Sequence, residues 1–176
     1  MDLKTFIRNQ FIENEFNRVD MLVRYHSIKE YLLDENYNFG IYKEMQEKRK
    51  FRNKYISRNI LESLANKQEP PGSFEELSVS NFKTLISSFK EKGFDSVYPI
   101  RCNENGNLLD GSHRLALSYF YKLDEIPVFN ISTTRQPKYS IKWFEENGFS
   151  DKDMLIINNE IDILKNYINF NDEKIL

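Results

Sequence analysis

Residues Asp110-Gly111-Ser112-His113-Arg114 set a carboxylate, a glycine, a hydroxyl, an imidazole and a guanidinium in succession. If they open a helix, they suit anion binding. The first turn of a helix carries N–H groups without intrahelical partners and a partial positive charge, and both attract phosphate. Gly111 lets a ligand approach the backbone, and His113 and Arg114 add side-chain donors. The same residues also make an ordinary Asp-Gly turn, a serine cap and an ion pair, so spacing alone leaves both readings open.

The neighbouring sequence supplies elements to position them. Tyr98-Pro99-Ile100-Arg101-Cys102 reads as a short strand, and Asn103-Glu104-Asn105-Gly106-Asn107 tolerates the positive φ of a tight hairpin into Leu108-Leu109. Leu115, Leu117, Tyr119-Phe120 and Leu123 then recur at helical spacing, with Ser112 as the expected N-cap. Upstream, Phe82, Leu85-Ile86 and Phe89 predict a helix that starts at Ser80 or Asn81 and stops at Gly93. Downstream, Ile126 to Ile131 reads as a strand, Pro127 marking its start or a sheet edge. Trp143 to Asn147 and Lys152 to Phe170 read as two closing helices, separated by Gly148, with Ser150 capping the second.

The front of the chain reads as helical. Phe6, Phe11, Phe16, Val19, Leu22-Val23, Ile28 and Tyr31-Leu32 form an apolar stripe over residues 3–34, and a second, charged helix is expected over 41–66. In that second helix Lys48-Arg49-Lys50, Arg52, Lys54 and Arg58 interleave with Glu44, Glu47 and Glu62, the pattern of a solvated face. Pro70-Pro71-Gly72-Ser73 then breaks the chain, giving an N-terminal helical extension over 1–70 and a core over 71–176. Within the first helix, Asp20 and Arg24 stand at i, i+4. They can form an intrahelical pair; alternatively, if this face lies against the Asp110 turn, Arg24 binds a phosphate and Asp20 or Glu30 a substrate. His26 reads as an ordinary helix residue, and Cys102 as core.

The run Leu-Asp-Gly-Ser-His-Arg-Leu-Ala at 109–116, followed by an amphipathic helix and Asp124-Glu125-Ile126-Pro127-Val128, resembles the second half of the ParB/sulfiredoxin-like domain. Sulfiredoxins carry Gly-Cys-His-Arg at this turn, ParB proteins Gly-Glu-Arg-Arg, and the free serine kinases Asp-Gly-His-Thr-Arg or close variants. The resemblance extends back through Asn81 to Cys102 and stops short of residues 1–70. It implies an α+β fold, with a small mixed sheet flanked by helices. It also implies a nucleoside triphosphate such as ATP held by Gly111, Ser112, His113 and Arg114, with Asp110 beside Mg²⁺ or the reacting phosphoryl group. The expected activity is that of an ATP-dependent small-molecule kinase or ATPase, with a metabolite or sugar hydroxyl as acceptor. The free serine kinases use a further acidic residue as base; Glu30, Glu75 and Glu76 are candidates here, and no motif chooses among them. Ser80, Lys83 and Thr84 occupy the helix where members of the superfamily place further phosphate donors. A ParB-like DNA-associated or nucleotide-switch protein, or a non-catalytic interaction domain, is the alternative.

Several activities are disfavoured by residue type. Ser112 stands where sulfiredoxins carry the nucleophilic cysteine, and a hydroxyl cannot form the thiosulfinate that a thiolate forms, which argues against repair of over-oxidised peroxiredoxins. The chain has 176 residues, 25 Lys and Arg against 27 Asp and Glu, a net charge of -2 and one cysteine. That composition argues against a strongly basic nucleic-acid surface and rules out an intrachain disulfide. With 40% hydrophobic residues it predicts one folded domain, and no apolar run reaches the ~20 residues of a membrane span. A cytoplasmic protein is expected.

Overall fold

A computed structural model describes residues 1–13, 17–49 and 74–175. Among them are seven α-helices and three short strands, an α+β arrangement. The front contributes α1 (Leu3–Arg8), a π-helical turn (Asn9–Glu13), α2 (Asp20–Leu33) and α3 (Gly40–Lys48). Next come α4 (Phe74–Lys92), β1 (Ile100–Cys102), β2 (Leu108–Asp110), α5 (Ser112–Phe120) and β3 (Val128–Asn130). Helices α6 (Ile141–Glu146) and α7 (Asp151–Ile175) close the chain. No helix among the described residues is long and apolar enough to cross a membrane.

The sheet has the order β2-β1-β3, with β1 antiparallel to β2 and parallel to β3. The expected hairpin forms: Gly106 takes φ 81°, and the Asn103 carboxamide oxygen accepts from the Asn105 and Asn107 N–H groups, each at 2.9 Å. Strand β2 lies at the sheet edge, and its outer backbone groups are met by side chains from the front. Gln10 Oε1 accepts from Leu108 N–H at 2.9 Å, and Arg18 Nη1 donates to the Leu108 carbonyl at 2.8 Å. Buried backbone groups must find such partners.

One hydrophobic core runs through both ends of the chain. Met21, Leu22, Val23 and Ile28 of α2 are buried with Leu115, Ala116, Leu117 and Tyr119 of α5, and with Ile157, Leu164 and Ile168 of α7. Helix α3 packs on α4, where Tyr42 and Phe39 meet the Phe82 ring at 4.9 and 5.9 Å. The described part of residues 1–70 therefore shares its core with residues 74–175.

Several boundaries differ from those the sequence predicts. The helix expected over 3–34 is interrupted after α1, because residues 17–19 pair with the chain near Tyr139. Val19 N–H donates to the Tyr139 carbonyl at 2.9 Å, and Tyr139 N–H to Asn17 at 2.6 Å. Helix α3 stops at Lys48, where Arg49 turns extended. Helix α4 begins at Phe74, so Ser80 and Asn81 lie inside it, and the Ser80 carbonyl accepts from Thr84 Oγ1 at 3.1 Å. It ends at Gly93 as expected, φ 72° allowing that N–H to reach the Phe89 carbonyl at 2.8 Å. Ser112 is the first helical residue of α5 rather than its cap. Gly111 takes that position at φ 109°, and no side chain caps the helix. Phe16, the basic residues at 50, 52, 54 and 58, Glu62 and the Pro70-Pro71-Gly72-Ser73 break lie outside the described residues.

Candidate functional site

The β2–α5 turn faces a cavity of about 310 Å³ closed on its other sides by the front helices and α4. Arg18 and Arg24 enter from α2 and the residues before it, Tyr42, Gln46 and Arg49 from α3 and its end, and Ser78 and Asn81 from α4. Asp110, Ser112 and His113 complete the wall with Leu109.

At its floor lies a fully buried carboxylate shared by two guanidiniums. Arg18 forks onto Asp20 through Nε and Nη2, both at 2.9 Å, while Arg24 Nη1 reaches Asp20 Oδ2 at 2.7 Å. Burial opposes ionisation of Asp20, but the charges and hydrogen bonds of Arg18, with Arg24 and Arg49 behind them, outweigh it and hold the carboxyl below the usual range. Asp20 and Arg24 do form the intrahelical i, i+4 pair, and the same pair lies against the Asp110 turn. The intrahelical pair and the packing of this face against the Asp110 turn occur together.

Arg18 is a fastener. Its Nη2 also donates to Ser112 Oγ at 2.5 Å and its Nη1 to Leu108, so its donors tie α2, β2 and α5 together. Arg24 is different: Nε and Nη1 are bonded, whereas Nη2 donates to no described residue. A guanidinium this deeply buried, with one arm bare on a cavity wall, can receive an anion. Arg49 lies across the Tyr139 ring at 5.1 Å and bonds Gln46 Oε1 at 3.0 Å. Among the described residues, the guanidiniums of Arg18, Arg24 and Arg49 share this region with buried Asp20 and with Asp110, which is 68% exposed at the mouth.

His113 lies between these groups. Its Nε2 is 2.8 Å from Tyr42 Oη and 3.4 Å from Arg24 Nε, and its ring stands perpendicular to Phe82 at 4.8 Å. Because Arg24 Nε can only donate, Nε2 must accept, and the ring proton sits on Nδ1. Burial, followed by the Arg24 and Arg49 charges, pushes the imidazole well below its ordinary pKa, so the ring is neutral near pH 7.

The structure brings together Asp110, Ser112, His113 and Arg24 from the expected set, with Gly111 beneath the turn. Arg114 is turned away from them, contrary to the expectation that it holds phosphate beside His113. Its Nη1 donates to the Tyr98 and Pro99 carbonyls, and its Nη2 lies 3.7 Å from Asp110. One residue further round the helix points it to the other side of α5, where those carbonyls at the start of β1 receive it. Glu30 lies on α2 beyond the cavity wall. Glu75 stands one turn before Ser78 on α4, on that wall's helix but outside its lining, and Glu76 is exposed. Ser80, Lys83 and Thr84 also miss the cavity, which takes Ser78 and Asn81 from α4 instead; Lys83 lies over the Tyr31 and Phe39 rings. His26 lies elsewhere, 3.6 Å from Glu160. Cys102 is buried, and its thiol is pushed up to about 11, as expected of a core residue.

Sequence reasoning missed Arg18, Tyr42, Gln46, Ser78 and Asn81, and read Arg49 as part of a solvated face. Arg18 left one signal: a guanidinium two positions before Asp20, next to the apolar Val19.

Among the described residues no group of three or more His, Cys, Asp or Glu side chains is placed to hold a metal. Asp110 alone suits Mg²⁺ only where phosphate oxygens and water complete the shell, as is usual for Mg²⁺ with nucleotides. No family model, curated protein or solved structure matches this chain.

Proposed function

We propose that the chain is a ParB/sulfiredoxin-like phosphotransferase that binds a nucleoside triphosphate with Mg²⁺ and passes the terminal phosphoryl group to a hydroxyl of a small metabolite or sugar. The observation that carries this reading is the Nη2 of buried Arg24, which donates to no described residue, in a cavity that Arg49 and the start of α5 also line. Phosphoryl transfer depends on positioning and on stabilising charge over the phosphoryl oxygens, and this donor set suits both.

Arg24 Nη2, His113 Nδ1–H and the first N–H groups of α5 would hold the equatorial oxygens, with Arg49 neutralising charge. Neutral His113 donates without adding a fourth cation. The chemistry Mg²⁺ would supply there is charge neutralisation of the departing nucleoside diphosphate. Asp110, the solvent-facing carboxylate at the mouth, would hold the ion or orient the acceptor. As the acceptor oxygen forms its bond to phosphorus, the bond to the diphosphate breaks, and the hydroxyl proton leaves to a carboxylate or water at the open side. The buried Cys102 thiol is compatible with a cytoplasmic setting.

The test is thermal unfolding with ATP, CTP and GTP, with and without Mg²⁺, on wild type, Arg24→Lys and Asp110→Asn, followed by ³¹P NMR with a panel of hydroxyl acceptors. The expected result is a Mg²⁺-dependent shift with one nucleotide, weakened in Arg24→Lys and no longer Mg²⁺-dependent in Asp110→Asn. Absence of any shift at millimolar nucleotide would overturn the reading.

A further inference from the structure

The two rims of the sheet are not alike. Gln10 and Arg18 cover β2, whereas the outer rim of β3 is open. In the parallel ladder Ile100 N–H reaches the Pro127 carbonyl at 2.9 Å and Ile131 N–H the Cys102 carbonyl at 2.8 Å, so residues 127, 129 and 131 direct their backbone groups to β1. The N–H and carbonyl groups of Val128 and Asn130 therefore point away from the sheet, where they meet no described residue. Just before this gap the same rim is filled, because Leu3 N–H donates to the Asp124 carbonyl at 3.0 Å and Ile126 N–H to the Met1 carbonyl at 2.9 Å. Phe129 stands at the centre of the gap. Its ring is 58% exposed on the outer face of the sheet, in register with exposed Arg101, and Asp110 follows Arg101 in the same row.

We infer that the open rim of β3 pairs antiparallel with the same rim of a second copy of the chain, Phe129 lying opposite the partner's Phe129 at the two-fold axis. Such a rim is its own complement. Val128 comes opposite the partner's Asn130 and Asn130 opposite the partner's Val128, so each pair exchanges both N–H···O bonds. Phe129 then forms the non-hydrogen-bonded pair between them, in which opposed side chains come closest. Charge selects the same orientation. Asp124 and Glu125 precede β3 and Arg135 follows it; all three are exposed and form no ion pair with a described residue. An antiparallel match brings the acidic end of one copy to the basic end of the other, whereas a parallel match would set like charges together. Beyond Asn130 the chain turns back to its own hairpin, where Glu104 N–H donates to the Thr133 carbonyl at 3.0 Å, and this keeps it clear of the partner's Met1. With β2 covered, each copy offers one such rim and association closes at two.

The experiment is sedimentation velocity of the full chain, with no residues added before Met1, for wild type, Phe129→Lys, Phe129→Glu and an equimolar mixture of the two variants. A ladder this short is a small interface, so wild type should pass from monomer to dimer mass between about 10 µM and about 1 mM. Each variant sets like charges in the closest pair and should stay monomeric at about 1 mM, while the mixture, which sets opposite charges there, should regain the dimer. The ring is more than half exposed, so both variants should keep the circular dichroism of wild type. If either loses its fold, Phe129→Cys decides instead: with oxidised glutathione it should give a disulfide-linked dimer, which requires Cα atoms within about 7 Å of each other. Wild type that stays monomeric at about 1 mM overturns the inference and leaves the rim to a strand of another protein. Variants that still dimerise, a mixture that stays monomeric, or a cysteine variant that does not cross-link also overturn it, and none of these results bears on the anion cavity.

Discussion

Asp20 makes the buried guanidiniums tolerable. With Arg18 and Arg24 on one carboxylate, its loss leaves two cations in a protein interior without their counter-charge. Breaking such an arrangement from one side costs about 3–5 kcal/mol. Asp20→Asn is expected to lose about that much in urea unfolding at neutral pH; a loss below about 1 kcal/mol, the scale of surface pairs, would show that water reaches the cluster. His113 gives a pH signature of the opposite kind. Its folded-state pKa lies below the ordinary 6.5, so below that pH the unfolded chain takes up a proton that the folded chain refuses. Its contribution to stability is complete above pH 6.5 and is lost as pH falls toward the folded-state value, by about 1.4 kcal/mol per pH unit. The difference in unfolding free energy between wild type and His113→Asn should therefore slope below pH 6.5 and be flat above it. A flat difference throughout would mean that the ring protonates freely in the folded protein.

The turn between β2 and α5 depends on a glycine for two reasons. Gly111 has φ 109°, and a Cβ there would stand 3.2 Å from Ile100 Cγ1 and 3.3 Å from Ile100 Cα, a backbone atom that cannot step aside. Gly93 has φ 72° at the end of α4 with nothing within 4 Å of a Cβ. Gly93→Ala should cost about 1 kcal/mol from conformation alone. Gly111→Ala should cost about 2–3 kcal/mol and also weaken tripolyphosphate binding, because relief of the clash must move the start of α5. Equal costs would place the strain elsewhere. The sequence revealed this turn well, because hairpin residues, a left-handed glycine and a helical period leave local marks; β1, β2, α5, the Gly93 stop and the Ser150 cap all follow from such marks. It revealed the opposite wall poorly. Arg18 takes its role from Leu108 and Ser112, which lie 90 and 94 positions away, and no local pattern encodes which distant carbonyl a guanidinium will meet. Arg49 sits in a run of mixed charge that reads as solvated until the Tyr139 ring is placed beneath it. The direction of Arg114 was hidden for the same reason: a short motif specifies residue types, whereas the direction of one residue on the first turn depends on the carbonyls across from it.

The cavity draws on α2, α3, α4 and α5, so an anion bound there would add to the polar contacts, such as Tyr42–His113 and Arg18–Ser112, that already join them. Ligand at a hundred times its dissociation constant adds about 2.7 kcal/mol to the folded state. For a domain of this size the melting temperature should then rise by about 5–10 °C in a single transition. Two separated transitions, only one of them shifted, would show that the front helices and the remainder melt independently. The cover over β2 has a consequence of another kind. A three-residue strand at the rim of a small sheet offers open N–H and carbonyl groups on which a second molecule could align, and proteins suppress that outcome by shielding the rim. Here Gln10 and Arg18 occupy those groups from outside, one accepting and one donating around Leu108. The guanidinium on the cavity wall thus also covers the rim of the sheet, and loss of Arg18 is expected to favour self-assembly along with disruption of the cavity.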